Sequence, residues 1–310
     1  MRRRALMNGG GKSIDFSKYM TVVSNVADGM TVRFTSQLEY CLHSEGEWKT
    51  LPANTTSPKI VLGDKMSFRA NLQPTSSAGI GKFSFSGSAD VEGNCMSLLY
   101  GDNAEGQPMK AYGFTYLFRD NRSLRRVSKN FLPATTLANY CYRYMFSGCE
   151  GLTSVPDLPS KEIKAGCYYG MFDLCRSITS APELHATTLE YYCYQYMFYG
   201  CTNLKTAPEL PAEVLRPYCY YAMFRECTKL TKAPVLPART LQIDCYSQMF
   251  YFCDRLNYVK ALFTTTPSTQ YTNAWLGEVA SSGTFIKSKD AKWNVTGVSG
   301  VPEGWTIKTE

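Results

Sequence analysis

Ten cysteines in the second half of the chain are the residues best equipped for chemistry. They come in pairs eight residues apart: Cys141 and Cys149, Cys167 and Cys175, Cys193 and Cys201, Cys219 and Cys227, Cys245 and Cys253. Each pair brackets an aromatic stretch, as in CYRYMFSGC and CYQYMFYGC. Such thiols could hold metal or form disulfides, and spacing tests both. Structural zinc takes four Cys or His ligands, commonly in tight Cys-x2–4-Cys pairs. The spacing here is Cys-x7-Cys, and the only histidines are His43 and His185. No metal or other cofactor is expected. If a pair lies on one helix, its Cα atoms are about 12 Å apart, and a disulfide spans at most roughly 7 Å. The ten thiols are therefore read as small apolar fillers of a buried stripe. The sequence leaves open whether Cys41 and Cys95 pair.

Other chemistry finds little support. A Ser-His-Asp or Cys-His site would have to form around His43 or His185. NGGGKS at 8–13 lacks the spacing of a phosphate loop, GxxxxGK[ST]. Asp157, Glu183 and Glu209 recur at one repeat position, but Val235 follows them, so the position reads as a solvated edge. No enzymatic activity is expected.

The elements that position the cysteines repeat with a constant period. The first cysteines fall at 141, 167, 193, 219 and 245, every 26 residues without insertion. Leu152, Ile178, Leu204, Leu230 and Leu256 keep the same step, as do Pro156, Pro182, Pro208 and Pro234. A degenerate unit precedes them in GFTYLFRDNRSLRRV, with Leu117-Phe118 in the Met-Phe place and Asn121 in that of the second cysteine. Terminal repeats are commonly atypical, because one face meets a cap. Within a unit, Leu137, Cys141, Met145 and Cys149 follow at four-residue steps, which reads as a helical stripe. PATT before Leu137 offers a helix start, and LTSVPDLP is short, alternating and proline-bounded, as in a brief strand. One helix and one strand per unit predict a helix-plus-strand solenoid with the strands in a parallel ladder.

Residues 15–108 differ. MTVRFTSQLEYCLH, KIVLGDKMSFRANL and GKFSFSGSADVEG are β-rich runs between turn-like segments, which predicts an antiparallel, sandwich-like domain. The tail from 263 holds Trp275, Trp293 and Trp305 among Gly, Ser and Thr, as a cap over the last repeat would. The expected fold class is thus α+β. It comprises a basic, Gly-rich arm (1–14), a β-sandwich-like domain (15–108), a leucine-rich-repeat solenoid (109–262) and a C-terminal cap (263–310).

MFSGCEGLTSVPDLP and MFYGCTNLKTAPELP resemble BspA-like leucine-rich repeats of Bacteroides-type gut bacteria and of their phages. The resemblance covers about half the chain. It implies a binding scaffold without enzymatic activity, of the kind found in surface adhesins and interaction proteins. LEYCLHSEGEWKTLPA and FSFSGSADVEGNCMSLLYGD resemble the β-module that precedes such repeats.

Two surfaces are candidates for binding. The strand side carries Arg125 and Arg126, then Thr153 and Ser154, Thr179 and Ser180, Lys205 and Thr206, Thr231 and Lys232. The side bearing the cysteines carries a column of Tyr142, Tyr168, Tyr194, Tyr220 and Tyr246, open to two readings, packing between repeats or exposed recognition. The formal charge of +7 is modest, and no nucleic-acid-binding module is recognisable. No apolar run reaches the roughly 18 residues of a membrane span, and MRRRALMNGGGKS lacks the apolar core of a secretory signal. The expectation is a phage virion component, a fibre or decoration protein. It would be anchored to other virion proteins by Arg2, Arg3, Arg4 and Lys12 and would present its repeats to a host-surface glycan or protein. The alternative is a bacterial cell-surface adhesin. Fibre proteins are often oligomers, but no heptad pattern specifies one here.

Overall fold

Residues 14–310 are described by the computed structural model, and the candidate anchor Arg2, Arg3, Arg4 and Lys12 lies outside them. The β-rich runs fold as seven short strands: β1 (Met20–Ser24), β2 (Val32–Phe34), β3 (Leu38–Leu42), β4 (Trp48–Leu51), β5 (Lys65–Arg69), β6 (Phe83–Phe85) and β7 (Ala89–Glu92). Val32-Arg33-Phe34 and Phe83-Ser84-Phe85 each alternate buried, exposed, buried, and they pair antiparallel as a two-stranded ribbon. The ribbon turns its phenylalanines onto the main sheet, with Phe83 4.2 Å from Phe34 and 5.4 Å from Phe68 between ring centroids. That sheet has the order β4-β3-β5-β1-β7-β8, where β8 (Leu124–Val127) belongs to the degenerate repeat unit and pairs parallel with β7. Glu39 lies opposite Arg69 in the β3–β5 register, and their side chains form an ion pair at 2.8 Å. The sandwich expected of 15–108 therefore does not close on itself. It is one large sheet, completed by a strand from the repeats and packed on a narrow ribbon.

The helix-plus-strand solenoid is overturned. Among the described residues the only α-helix is α1, Ser97–Tyr100, outside the repeats. The segment expected to be helical sends its amides in two directions. In the first full unit, the N–H groups of Cys141, Arg143, Met145, Ser147 and Cys149 each donate three residues back, to Ala138, Tyr140, Tyr142, Tyr144 and Phe146. The alternate N–H groups leave the segment: Tyr142 donates to the carbonyl of Cys167, Tyr144 to Tyr169, Phe146 to Met171 and Gly148 to Asp173, all at 2.8–3.0 Å. An α-helix satisfies its amides internally, four residues back. Here half of them hold the next unit instead. The result is a ribbon of tight turns, with a left-handed residue at every fourth position: Tyr140, Tyr144 and Gly148 at φ 55°, 51° and 71°. Each 26-residue unit is one rung of a stack.

The stack has a single aromatic spine. Phe118, Phe146, Phe172, Phe198, Phe224 and Phe250 lie ring over ring at 5.6–5.7 Å, nearly parallel. Phe83 of the ribbon meets Phe118 at 5.6 Å, so the N-terminal core runs into the spine without a break. Tyr142, Tyr168, Tyr194, Tyr220 and Tyr246 stack beside it at 5.8–5.9 Å, each at most 2% exposed. Their packing reading holds; they form no exposed recognition column.

The stacking continues beyond 262. Tyr246, Gln248 and Phe250 donate to the carbonyls of Tyr271, Asn273 and Trp275, in the register used between earlier rungs. YTNAWLGEV is thus a further rung, with Trp275 in the methionine place and Leu276 in the phenylalanine place. The strand side ends in a parallel sheet of β9 (Tyr258–Ala261), β10 (Thr284–Lys287) and β11 (Thr306–Thr309), ordered β11-β10-β9. Trp275, Trp293 and Trp305 are buried, and their indole N–H groups donate to the carbonyls of Gly300, Phe263 and Ala280. Among the described residues no helix is long and apolar enough to cross a membrane.

Candidate functional site

The strand-side residues singled out by sequence come together as two adjacent columns along one edge of the stack. The N–H of Thr153 donates to Arg125, that of Lys205 to Thr179 and that of Asn257 to Thr231. Parallel bridges join Arg126 to Ser154, Ser180 to Thr206 and Lys232 to Tyr258. Arg125, Thr153, Thr179, Lys205 and Thr231 are exposed, as are Arg126, Ser180, Thr206 and Lys232, while Ser154 is half-buried. Two positions are partly engaged within the chain. Arg126 pairs with Asp90 at 3.0 Å, and the Lys232 ammonium lies 5.1 Å from the Tyr258 ring. Thr153 and Ser154 turn their hydroxyls back onto the Arg125 and Val127 carbonyls, at 3.1 and 3.3 Å. The ladder therefore offers Arg, Lys and Thr groups on a backbone joined at alternate junctions between rungs.

The cysteines lie inside. All twelve in the chain are free and buried. Burial pushes the Cys141 and Cys245 thiols up to about 12 and Cys149 and Cys253 further still, so all four are protonated at neutral pH. The second cysteine of each rung also has a structural bond. Cys149, Cys175, Cys201, Cys227 and Cys253 donate their S–H groups to the phenylalanine carbonyls of the preceding unit, Phe118, Phe146, Phe172, Phe198 and Phe224, at 3.0–3.2 Å. In the degenerate unit Asn121 performs the same task, donating to Phe83 at 3.4 Å. No group of three or more Cys, His, Asp or Glu side chains is placed to hold a metal among the described residues.

His43 is the one histidine held against a hydroxyl. Its Nε2 is 2.8 Å from Ser67 Oγ, which in turn meets Thr21 Oγ1 at 2.6 Å, and the ring stacks on Phe16. Burial, with Lys65 nearby, lowers the imidazole to about 4. Ser67 has no exposed surface, so this hydroxyl cannot reach a substrate. His185 is exposed on the edge of the stack.

A second region was not singled out by the sequence reading. On the turn side, between the first rung and the N-terminal sheet, a cleft of about 570 Å³ is lined by Thr35, Gln73, Lys82, Tyr116, Arg119 and Asp120 among others. It opens beside a run of half-buried tyrosines interleaved with arginines. Tyr116 stacks on Tyr144 at 5.9 Å, and Tyr144, Tyr169, Tyr196 and Tyr221 follow edge to face at 5.1–5.7 Å. Aligning the units position by position would have shown Arg143, Tyr169, Gln195 and Tyr221 at one rung position and Tyr144, Gly170, Tyr196 and Ala222 at the next. Exposure could not be read that way, because it depends on which turn residues face outward.

No family model, curated protein or solved structure matches the chain.

Proposed function

We propose that the chain is a non-enzymatic adhesion or interaction protein that presents the sides of its rung stack to an extended partner. One observation carries this reading: from Arg125 to Lys232 two columns of polar side chains, all but Ser154 exposed, run along one edge of the stack and are joined by backbone bonds and bridges at alternate junctions between rungs. A surface ordered before binding loses little conformational entropy on contact, and repeat stacks characteristically offer such extended surfaces. The resemblance to BspA-like repeats supports the same reading, and it includes proteins of phages as well as of their hosts. We favour a virion setting, in which a fibre or decoration protein holds the ladder toward the host surface.

The test is sedimentation of the purified full chain with whole Bacteroides-type cells, together with immunodetection in purified phage particles. Binding to cells and recovery with particles are expected. Absence from particles with recovery in the bacterial envelope would replace the virion setting with that of a cell-surface adhesin. Failure to bind cells in either setting would contradict adhesion.

A further inference from the structure

The tyrosine-arginine run on the turn side has features that packing does not require. Tyr116 and Tyr144 are left-handed, at φ 63° and 51°, where a bulky side chain is costly. In the next rung the matching position is Gly170, at φ 57°. Glycine suits that backbone better, so what tyrosine adds at 116 and 144 is its ring. The glycine serves the ring as well: a Cβ on Gly170 would lie 2.3 Å from Tyr144 Cε1. The ring therefore lies flat over the rung that follows.

Two guanidinium groups share this pair of rings. Arg119 lies 5.0 Å from the Tyr116 centroid and 5.4 Å from that of Tyr144; Arg143 lies 5.8 and 5.4 Å from the same rings and 5.4 Å from Tyr169. Among the described residues Arg143 has no ion pair or side-chain hydrogen bond, and its Nε is buried without a partner. The ion pair of Arg119 is a 3.7 Å contact with its own neighbour, Asp120. Two cations on one pair of rings, Arg143 without an ion pair and Arg119 with only the 3.7 Å contact to Asp120, are a receptor for a planar anion, which guanidinium groups bind through paired hydrogen bonds.

The rest of the face defines what carries that anion. Asp173 Oδ1 and Gln195 Oε1 are further buried acceptors without a partner on this side of the stack. Asp120 and Glu226 alternate along it with Arg119 and Arg225. A polymer charged at every unit, such as a nucleic acid, would meet these carboxylates and be repelled. A polymer rich in hydroxyl groups, with acidic groups at intervals, fits the acceptors, the tyrosine faces and the arginine pair together. The cleft beside Tyr116 and Arg119, with Thr35, Gln73 and Lys82 on its walls, gives the polymer room to continue past the first rung.

We propose that this face binds a carboxylate-bearing polysaccharide, with the acidic group on Arg119 and Arg143 and a sugar ring lying on Tyr116 at the cleft, where Tyr144 backs it. This rests on the interaction function proposed above and names a surface and a ligand class for it. The experiment is calorimetric titration of the full chain with a hyaluronan oligosaccharide, acidic at every second sugar, with its carboxyl-reduced, neutral counterpart and with oligo-dT. The hyaluronan oligosaccharide should bind, and losing a charged hydrogen-bonded pair should weaken it about tenfold or more, both for the neutral counterpart and in Arg143→Gln. Arg119→Gln and Tyr144→Gly should weaken it too; the latter places glycine where the next rung already has it. Melting temperatures confirm that each variant is folded, and if one is not, the other two decide. No binding of the hyaluronan oligosaccharide to the folded wild type would overturn the proposal, as would equal binding of the neutral sugar, unchanged affinity in the folded variants or a preference for oligo-dT. Should the hyaluronan oligosaccharide fail while whole cells are still bound, the adhesion function stands and only this ligand class falls.

Discussion

At the residue scale, the cysteines are structural, and their role divides between volume and one directed bond. Their burial could be read from the apolar stripe they share with Leu137 and Met145. The S–H donation to a phenylalanine carbonyl could not, because it depends on how rungs stack. Thiolates are the reactive form, and thiols buried in apolar surroundings stay protonated and inert. Native protein treated with iodoacetamide should therefore lose none of its twelve cysteines, and all should react once the chain is unfolded. Rapid native alkylation of any repeat cysteine, read by mass spectrometry, would contradict this. Asp173 gives a second test. Burial raises its carboxyl from the ordinary 3.8 to about 6, against the hydrogen bond from Ser147, which lowers it. The fold thus favours the protonated acid: its stabilising contribution is full below about 3.8 and is lost as pH rises through about 6. Asp173→Asn should therefore gain in melting temperature over the wild type as pH rises from about 4 to about 7. A difference that does not change with pH would exclude the shifted carboxyl. Nothing in the sequence around Asp173 announces its burial, which comes from rungs on either side.

At the element scale, the period was legible and its meaning was not. An α-helix turns about 100° per residue, so each four-residue step drifts about 40° and three steps about 120°. Leu137, Cys141, Met145 and Cys149 stay buried through three such steps, which suits a ribbon with a true four-residue period. The exchange of tyrosine for glycine at 140 and 166, and again at 144 and 170, is the other sign, since only left-handed positions make glycine and a bulky residue alternatives. What no single sequence shows is the destination of the amides, half of which leave the segment for the next rung. Gly170→Ala places a Cβ against the Tyr144 ring at a left-handed residue and should cost about 1–3 kcal/mol in denaturant unfolding. Adding Tyr144→Gly removes the clash and should recover part of that loss, a coupling that a double-mutant cycle measures. Independent, additive effects would contradict the contact.

At the scale of the whole molecule, one aromatic spine runs from Phe83 of the N-terminal ribbon to Phe250, so the ends need closing. At the C-terminus Trp275 covers Tyr246 at 6.3 Å, and β10 and β11 pair off the edge of β9. Deleting 263–310 would bare Tyr246, Phe250 and an unpaired strand edge, and the shortened chain should elute from a sizing column as aggregate. A monodisperse monomer would show that the stack closes earlier. The 26-residue period was legible to 262 because the cysteines mark it. The next rung was hidden because Tyr271, Thr272, Trp275 and Leu276 keep its places with other residue types. The central claim is that the repeated residues build the stack while the variable outward columns make the contacts. Whole-cell binding tests it most directly, comparing the wild type with a ladder variant that combines Arg125→Ala, Thr153→Ala, Thr179→Ala, Lys205→Ala and Thr231→Ala. The ladder variant should keep its melting temperature and lose cell binding; a folded variant that binds cells as well as the wild type would show that the ladder does not make the contacts.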